Sequence, residues 1–408
     1  MEKREEIIRR AVEKYGTPLF FYEEGKIREQ CRKLREAFAG QSVEIFYAMK
    51  ANSRQKILQI IREEGVGIEA TTAGEIYRAL SAGFPPEAII FNGNGKTPFE
   101  VEYAIKKGIT FLNFDSLDQW ELIHFTAKKL GKKVSVLMRL NPGIEAGGHS
   151  SWATGAVYAK FGLRLREVEE AIPLTRQFSF APIVGLHSHF GTQVLDVSPF
   201  LQNARFLKKM RERLKDAGIE ANILDLGGGL GVVYHEEETP FHLKEYAEGL
   251  RDIFAGDNVR IFLEPGRFLV AEAGILLTRV VSVKQTGEKN FVVADAGMTE
   301  NPRPMLYGAY HPIRILARAS HTQTFGEKPA GRWDVVGPVC ENDDYLGKDR
   351  ELDTPQVGDL LQVGVCGAYC ASMGSNYNSR VSPAEVLWNG TELLLIRPRQ
   401  TFKEMAKY

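Results

Sequence analysis

Cysteine is scarce in this chain, with Cys31, Cys340, Cys366 and Cys370 the only four in 408 residues. Four thiols without a CxxC pair are too few for a disulfide framework, so free cysteines are expected, and the spacing of Cys366 and Cys370 around Gly-Ala-Tyr is no redox signature by itself. No apolar run approaches the ~18 residues of a membrane-spanning helix. The opening Met-Glu-Lys-Arg-Glu-Glu is charged, with no apolar segment behind it, so a cytoplasmic location without a membrane partner is expected. Excess charge is missing as well. The 52 basic side chains equal the 52 acidic ones, and no long basic run is present. Nothing in that balance attracts a phosphodiester backbone, so no nucleic-acid partner is expected and a small-molecule ligand fits better.

Internal repeats and low-complexity tracts are also absent. What remains is 44% hydrophobic and 25% charged, the composition of a folded globular protein and not of a disordered or collagen-like one. The chain is longer than one ordinary domain of roughly 100 to 150 residues, but a barrel of about 250 residues plus a smaller unit accounts for it. Between about residues 40 and 270, short β-branched runs alternate with amphipathic stretches, the pattern of βα units around a parallel sheet. Eight strands are predicted: Val43 to Met49, Gly67 to Thr71, Ala88 to Asn92, Thr110 to Phe114, Val134 to Leu140, Ile183 to His189, Ile223 to Leu226 and Val259 to Leu263. Helical patterns such as Phe99 to Lys107, Asp118 to Leu130, Pro199 to Ala217 and Phe241 to Ala255 follow many of them and end near glycine. Eight strands with seven intervening helices predict an α/β fold, a (β/α)8 TIM barrel over residues 25–270, with an open doubly wound sheet as the alternative.

Beyond about residue 275 the texture becomes β-rich, with runs at Leu276 to Val283, Asn290 to Ala294, Trp333 to Gly337, Leu360 to Val365 and Glu392 to Arg397 between Pro and Gly turns. A mostly-β C-terminal domain, of barrel or sandwich type, is therefore expected over residues 271–408. The helix of residues 2 to 15 is free to pack on either domain, and packing of residues 1–24 on the second is left open.

In a barrel, working residues belong at the C-terminal ends of strands. Lys50 stands at the tip of the first, in Tyr-Ala-Met-Lys-Ala-Asn. A lysine there is ordinarily a solvated charge, but an amine among apolar neighbours can form a Schiff base. The seventh strand runs into Leu-Gly-Gly-Gly-Leu-Gly, residues 226 to 231, whose glycines let backbone N–H groups approach an anion. The eighth ends Glu264-Pro265-Gly266-Arg267, a carboxylate and a guanidinium that in isolation read as a structural ion pair. The sixth carries His187 and His189, which at i and i+2 point the same way. Two imidazoles without a third ligand in view do not make a zinc site, so no metal is expected. An amine, an anion cradle, a carboxylate and a flat imidazole together are what a pyridoxal phosphate site needs.

These motifs, joined by Asn-Gly-Asn-Gly-Lys96, His189-Phe-Gly-Thr-Gln193, Arg303-Pro-Met-Leu-Tyr307, Gly337-Pro-Val-Cys340-Glu341, Gly367-Ala-Tyr369 and Asn376-Tyr-Asn-Ser-Arg380, occur in order over nearly the whole length. In them the chain resembles the alanine-racemase-like fold-type III pyridoxal phosphate decarboxylases, and among these the branch acting on diaminopimelate. The resemblance implies pyridoxal 5'-phosphate as cofactor, with Lys50 as its point of attachment, His189 stacked on it, Gly229, Gly231 and Arg267 near its phosphate, Pro265 and Gly266 also touching it, and Glu264 at its ring nitrogen. It implies Cys340 as the proton donor after carbon dioxide leaves. Arg267, Arg303, Tyr307, Glu341 and Tyr369 would form the substrate end, Tyr369 also touching the cofactor. It further implies a homodimer in which Cys340 and Glu341 reach the partner's site. A guanidinium at 303 grips a distal carboxylate, whereas lysine or ornithine would face it with an ammonium, so the implied reaction is meso-2,6-diaminopimelate to L-lysine and carbon dioxide.

Three departures from the resemblance are visible. Gly148 to Gly155 keeps only part of the usual loop motif, Val365-Cys366 replaces an Asp-Ala pair, and Glu69 stands where an Asp is usual. The first leaves open a decarboxylase for ornithine, lysine, arginine or a carboxynorspermidine-like substrate. A non-catalytic pyridoxal phosphate carrier is the remaining alternative, disfavoured by the presence of the β domain with Cys340, Glu341 and Tyr369.

Overall fold

The computed structural model describes residues 2–146, 155, 158–318 and 331–407. The atypical stretch from Gly148 to Thr154 lies outside these residues. Two compact units divide the chain, one of Arg28–Val232 and Thr239–Leu269, the other of Met1–Ile27, Val233–Glu238 and Val270–Tyr408.

The first strand, β1 (Leu19–Glu23), belongs to the latter unit, and the next eight build the former: β2 (Val43–Ala48), β3 (Gly67–Ala70), β4 (Ile89–Phe91), β5 (Phe111–Phe114), β6 (Ser135–Arg139), β7 (Ile183–His187), β8 (Ile223–Asp225) and β9 (Arg260–Leu263). Each pairs in parallel with the next, and β9 returns to β2 with Val43 opposite Ile261, so the sheet closes. That last ladder removes the open-sheet alternative. Phe46, Ile90, Leu137 and Ile223 come from alternate strands and cluster with Phe262, the layering of a filled barrel and not of a pore. Burying each of these side chains contributes roughly 1.5–3 kcal/mol.

Among the described residues, seven α-helices connect the strands. Their starts are written locally: Thr97 and Glu100 form a capping box before Pro98–Lys106, and Ser116 caps Leu117–Leu130, which stops at left-handed Gly131. In Gln55–Glu63 the buried residues Ile57, Leu58, Ile60 and Ile61 make one apolar stripe.

The other unit is a nine-stranded sheet of β1 with β10 (Gly274–Thr286), β11 (Lys289–Ala294), β12 (Ile313–Ala317), β13 (Gly331–Val336), β14 (Tyr345–Leu352), β15 (Leu360–Val363), β16 (Ala384–Trp388) and β17 (Leu393–Arg397). β1 lies antiparallel to β10 and parallel to β16. Helix α1 (Glu2–Tyr15) lays Ile7, Ile8, Ala11 and Val12 against Leu19, Phe21, Leu277 and Val386. Four of these strands, β1, β12, β14 and β16, were not expected from the sequence. β1 and β16 are only five residues long, and β14 reads Tyr-Leu-Gly-Lys-Asp-Arg-Glu-Leu, a charged pattern acceptable at an edge. No helix among the described residues is long and apolar enough to cross a membrane.

Candidate active site

The barrel's C-terminal mouth collects the predicted residues of that unit. Lys50 sits in a single 3-10 turn just past β2, flanked by buried Met49 and Ala51, and its Nζ lies 2.8 Å from Glu69 Oε2 on β3. Glu264, just past β9, is buried. Asn92 Nδ2 donates to its Oε1 at 2.6 Å, and His187 Nε2 lies 3.3 Å from its Oε2. His189 is half-buried, and its Nδ1 accepts the N–H of Gly228 at 3.2 Å, so a neutral ring carries its proton on Nε2. Arg267, buried just past Glu264, reaches Thr192 Oγ1 at 3.4 Å.

The glycine loop is built backbone against backbone. A Cβ at Gly228 would lie 2.1 Å from Glu264 O, and one at Gly229, whose φ is +108°, would lie 2.5 Å from Gly191 O. Only glycine fits there, and the loop offers peptide groups instead of side chains. Gly231 differs: its N–H is already donated to Val194 O at 3.0 Å, so its amide serves the loop and not an anion.

Two buried carboxylates meet at this mouth and are driven apart. Burial and the neighbouring Glu264 push Asp225 well above the usual carboxylate range. Burial acts on Glu264 in the same sense, yet His187, 3.3 Å away, and the charge of Lys50 overcome it and hold Glu264 well below that range. The pair therefore keeps a proton on Asp225 and a negative charge on Glu264. Burial pushes Glu69 up to about 7 against the pull of Lys50, and desolvation with Arg139 and Lys50 nearby pushes His189 down to about 3. Lys96 of the Asn-Gly-Asn-Gly-Lys motif is buried, donates to Gly93 O and Asn113 O, and is pushed by burial down to about 7.

In the β-rich unit Arg303 opens the short helix Arg303–Tyr307 and is 1% exposed. Its Nη1 donates to Tyr234 Oη at 3.0 Å and to His311 Nε2 at 2.8 Å, while His311 Nδ1 donates to Gly364 O at 2.9 Å. Tyr307 and Tyr369 are half-buried, the latter at a left-handed φ of 59°. Cys340 and Glu341 are exposed. The Asn376 to Arg380 motif supports them, because Asn378 Oδ1 accepts the Cys340 N–H at 3.0 Å and Tyr377 Oη donates to Glu341 at 2.7 Å.

The sequence reading gave no role to Asn92, Asp225, Tyr234 or His311, and weighed His187 only as a metal ligand. Asp225 carried a signal, standing two residues before the glycine loop whose Gly227 N–H it accepts at 2.9 Å. Tyr234 carried none, since Arg303 is 69 residues away in sequence, and His311, eight residues past Arg303, stands in no local motif with it.

Comparison with known proteins places this geometry. Residues 24–271 match the pyridoxal-binding domain of the pyridoxal-dependent decarboxylases. Diaminopimelate decarboxylase of Helicobacter pylori is 38% identical over 391 residues, 96% of this chain and 95% of its own, and that of Zymomonas mobilis is 37% identical over 398 residues, 96% and 92%. The crystal structure of the Helicobacter pylori enzyme complexed with L-lysine superposes with a TM-score of 0.90 at 37% identity, covering 98% of both chains. The chain belongs to the pyridoxal-dependent decarboxylases and, within them, to the diaminopimelate decarboxylase family.

Proposed function

We propose that this chain decarboxylates meso-2,6-diaminopimelate to L-lysine with pyridoxal 5'-phosphate as its cofactor. The observation that carries the substrate is Arg303. A guanidinium stays charged in a protein, and a buried charge without a counter-ion is costly. Yet its hydrogen-bond partners are Tyr234 and His311, and no carboxylate forms an ion pair with it among the described residues. A second carboxylate on the substrate satisfies it in a bidentate fork, whereas ornithine, lysine or arginine would bring a cation.

The barrel mouth fits the cofactor on its own chemistry: a partly exposed amine, a charged buried carboxylate, a neutral imidazole and a loop that only glycine can build. Lys50 would attach it, and Glu264, kept ionised beside His187 and Lys50, would hold a proton at its ring nitrogen. His189 would lie on its face, with Gly229, Pro265, Gly266 and Arg267 around its phosphate. When bound, pyridoxal phosphate supplies the sink for the electron pair freed as carbon dioxide leaves. Arg303 orients the substrate from its far end, and Tyr307 and Tyr369 line that end. Glu341, its carboxylate steadied by Tyr377, accepts a hydrogen bond from the distal amino group. Cys340 carries the proton returned to carbon.

A thiol with that task needs cover from water, and Cys340 and Glu341 are exposed on this chain. A second copy supplies the cover in this reading, making the active species a homodimer with shared sites. Carbon dioxide release and product identity, measured for cofactor-loaded protein on meso-diaminopimelate, L-lysine, L-ornithine, L-arginine and carboxynorspermidine, test the substrate. Lysine from diaminopimelate with the others inert is expected; turnover of another compound with diaminopimelate inert would sink the reading.

A further inference from the structure

Three soft donors converge in the β-rich unit behind Arg303. A ring nitrogen of His311, Cys366 Sγ and Cys370 Sγ lie within 4.8 Å of one another, and all three residues are buried. Cys366 Sγ is 3.6 Å from His311 Nδ1 and 3.3 Å from Gly364 O, which is 2.9 Å from that same nitrogen. Around tetrahedral zinc, bonds of about 2.3 Å to sulfur and 2.0 Å to nitrogen put S and N about 3.5 Å apart and two sulfurs about 3.8 Å apart. The 3.6 Å between Cys366 Sγ and His311 Nδ1 is already such a sulfur–nitrogen spacing, and Gly364 O lies beside both atoms.

We propose that His311, Cys366 and Cys370 bind a thiophilic divalent cation, zinc or cadmium, and that its binding frees Arg303 from His311. The coupling rests on the reading of Arg303 as the substrate grip. At present His311 donates from Nδ1 and accepts from Arg303 at Nε2. Binding forms one metal–nitrogen and two metal–sulfur bonds, both thiol protons leave to water, and the imidazole proton moves from Nδ1 to Nε2. Nε2–H and the guanidinium N–H are then two donors face to face, so Arg303 keeps Tyr234 alone. Because both thiols give up a proton on binding, cation uptake strengthens as pH rises.

Cadmium titration of the cofactor-loaded protein, read by sulfur-to-cadmium charge-transfer absorbance in a Cys340→Ser background that removes the exposed thiol, tests the site. One equivalent per chain is expected, bound more tightly as pH rises, and lost when Cys366→Ala or Cys370→Ala is added. Cofactor loading equal to the parent's shows that these variants fold. No band in the parent, or a band that persists in both variants, overturns the site. With Cys340 intact, zinc is expected to raise KM for diaminopimelate on the order of tenfold with kcat unchanged, and to leave Cys366→Ala unaffected. Equal inhibition of Cys366→Ala, or a fall in kcat alone, overturns the coupling. If Arg303→Lys leaves KM unchanged, the substrate-grip reading has failed instead, and the cadmium titration still judges the site.

Discussion

Glu69 and Arg303 show how much a single side chain depends on what surrounds it. Burial raises Glu69 from its ordinary 4.5 to about 7, so between those values the folded chain holds a proton that the unfolded chain releases. The resulting stabilisation is complete below about 4.5 and is lost as pH rises through about 7, amounting to at most roughly 3 kcal/mol. Glu69→Gln is therefore expected to flatten the stability profile of the cofactor-free protein over that window, checked by urea unfolding at a series of pH values; an unchanged slope would place the titration elsewhere. Arg303→Lys keeps the charge but loses the planar fork. Hydrogen bonds to charged groups contribute about 1.5–3 kcal/mol, so KM for diaminopimelate is expected to rise roughly ten- to hundredfold with kcat largely kept. Steady-state kinetics decide this, and a drop in kcat alone would move Arg303 from substrate binding to chemistry.

Among elements, the glycine loop after β8 and the capped helix Pro98–Lys106 respond to substitution differently. A methyl at Gly228 would sit 2.1 Å from Glu264 O, both backbone-borne, so neither partner can swing aside. Gly228→Ala is expected to lower stability by about 1–3 kcal/mol and to weaken cofactor binding together, because the same shift displaces His189's partner and Glu264. Cofactor absorbance and thermal unfolding read the two effects, and a destabilised variant with full cofactor affinity would separate loop from site. Thr97→Ala removes one cap, costing about 1 kcal/mol, and is expected to leave cofactor binding alone. The glycine loop was legible in the sequence because it depends on neighbours a few residues away, whereas the cap at Thr97 was not read there, although Thr97-Pro-Phe-Glu100 is an equally local pattern. The strand β14 was not legible, since its charged pattern makes sense only once it stands at the edge of the sheet.

For the whole molecule, the exposure of Cys340 and Glu341 makes assembly the deciding property. Lys50→Ala and Cys340→Ser are each expected to be inactive alone. If sites are shared, mixing the two lets half the dimers form with one intact site each, restoring about a quarter of full activity. No recovery after subunit exchange, verified by mass, would refute sharing. The sequence by itself determined the eight βα units, the order of the motifs and the residue types at the strand tips, because periodicity, caps and turn residues are local. Tertiary structure decided the closure of β9 on β2, the placement of residues 233–238 that brings Tyr234 to Arg303, and the meeting of His311 with Cys366 and Cys370. It also decided the charge on Glu264, since whether a carboxylate ionises depends on desolvation and on which groups, distant in the chain, are packed against it.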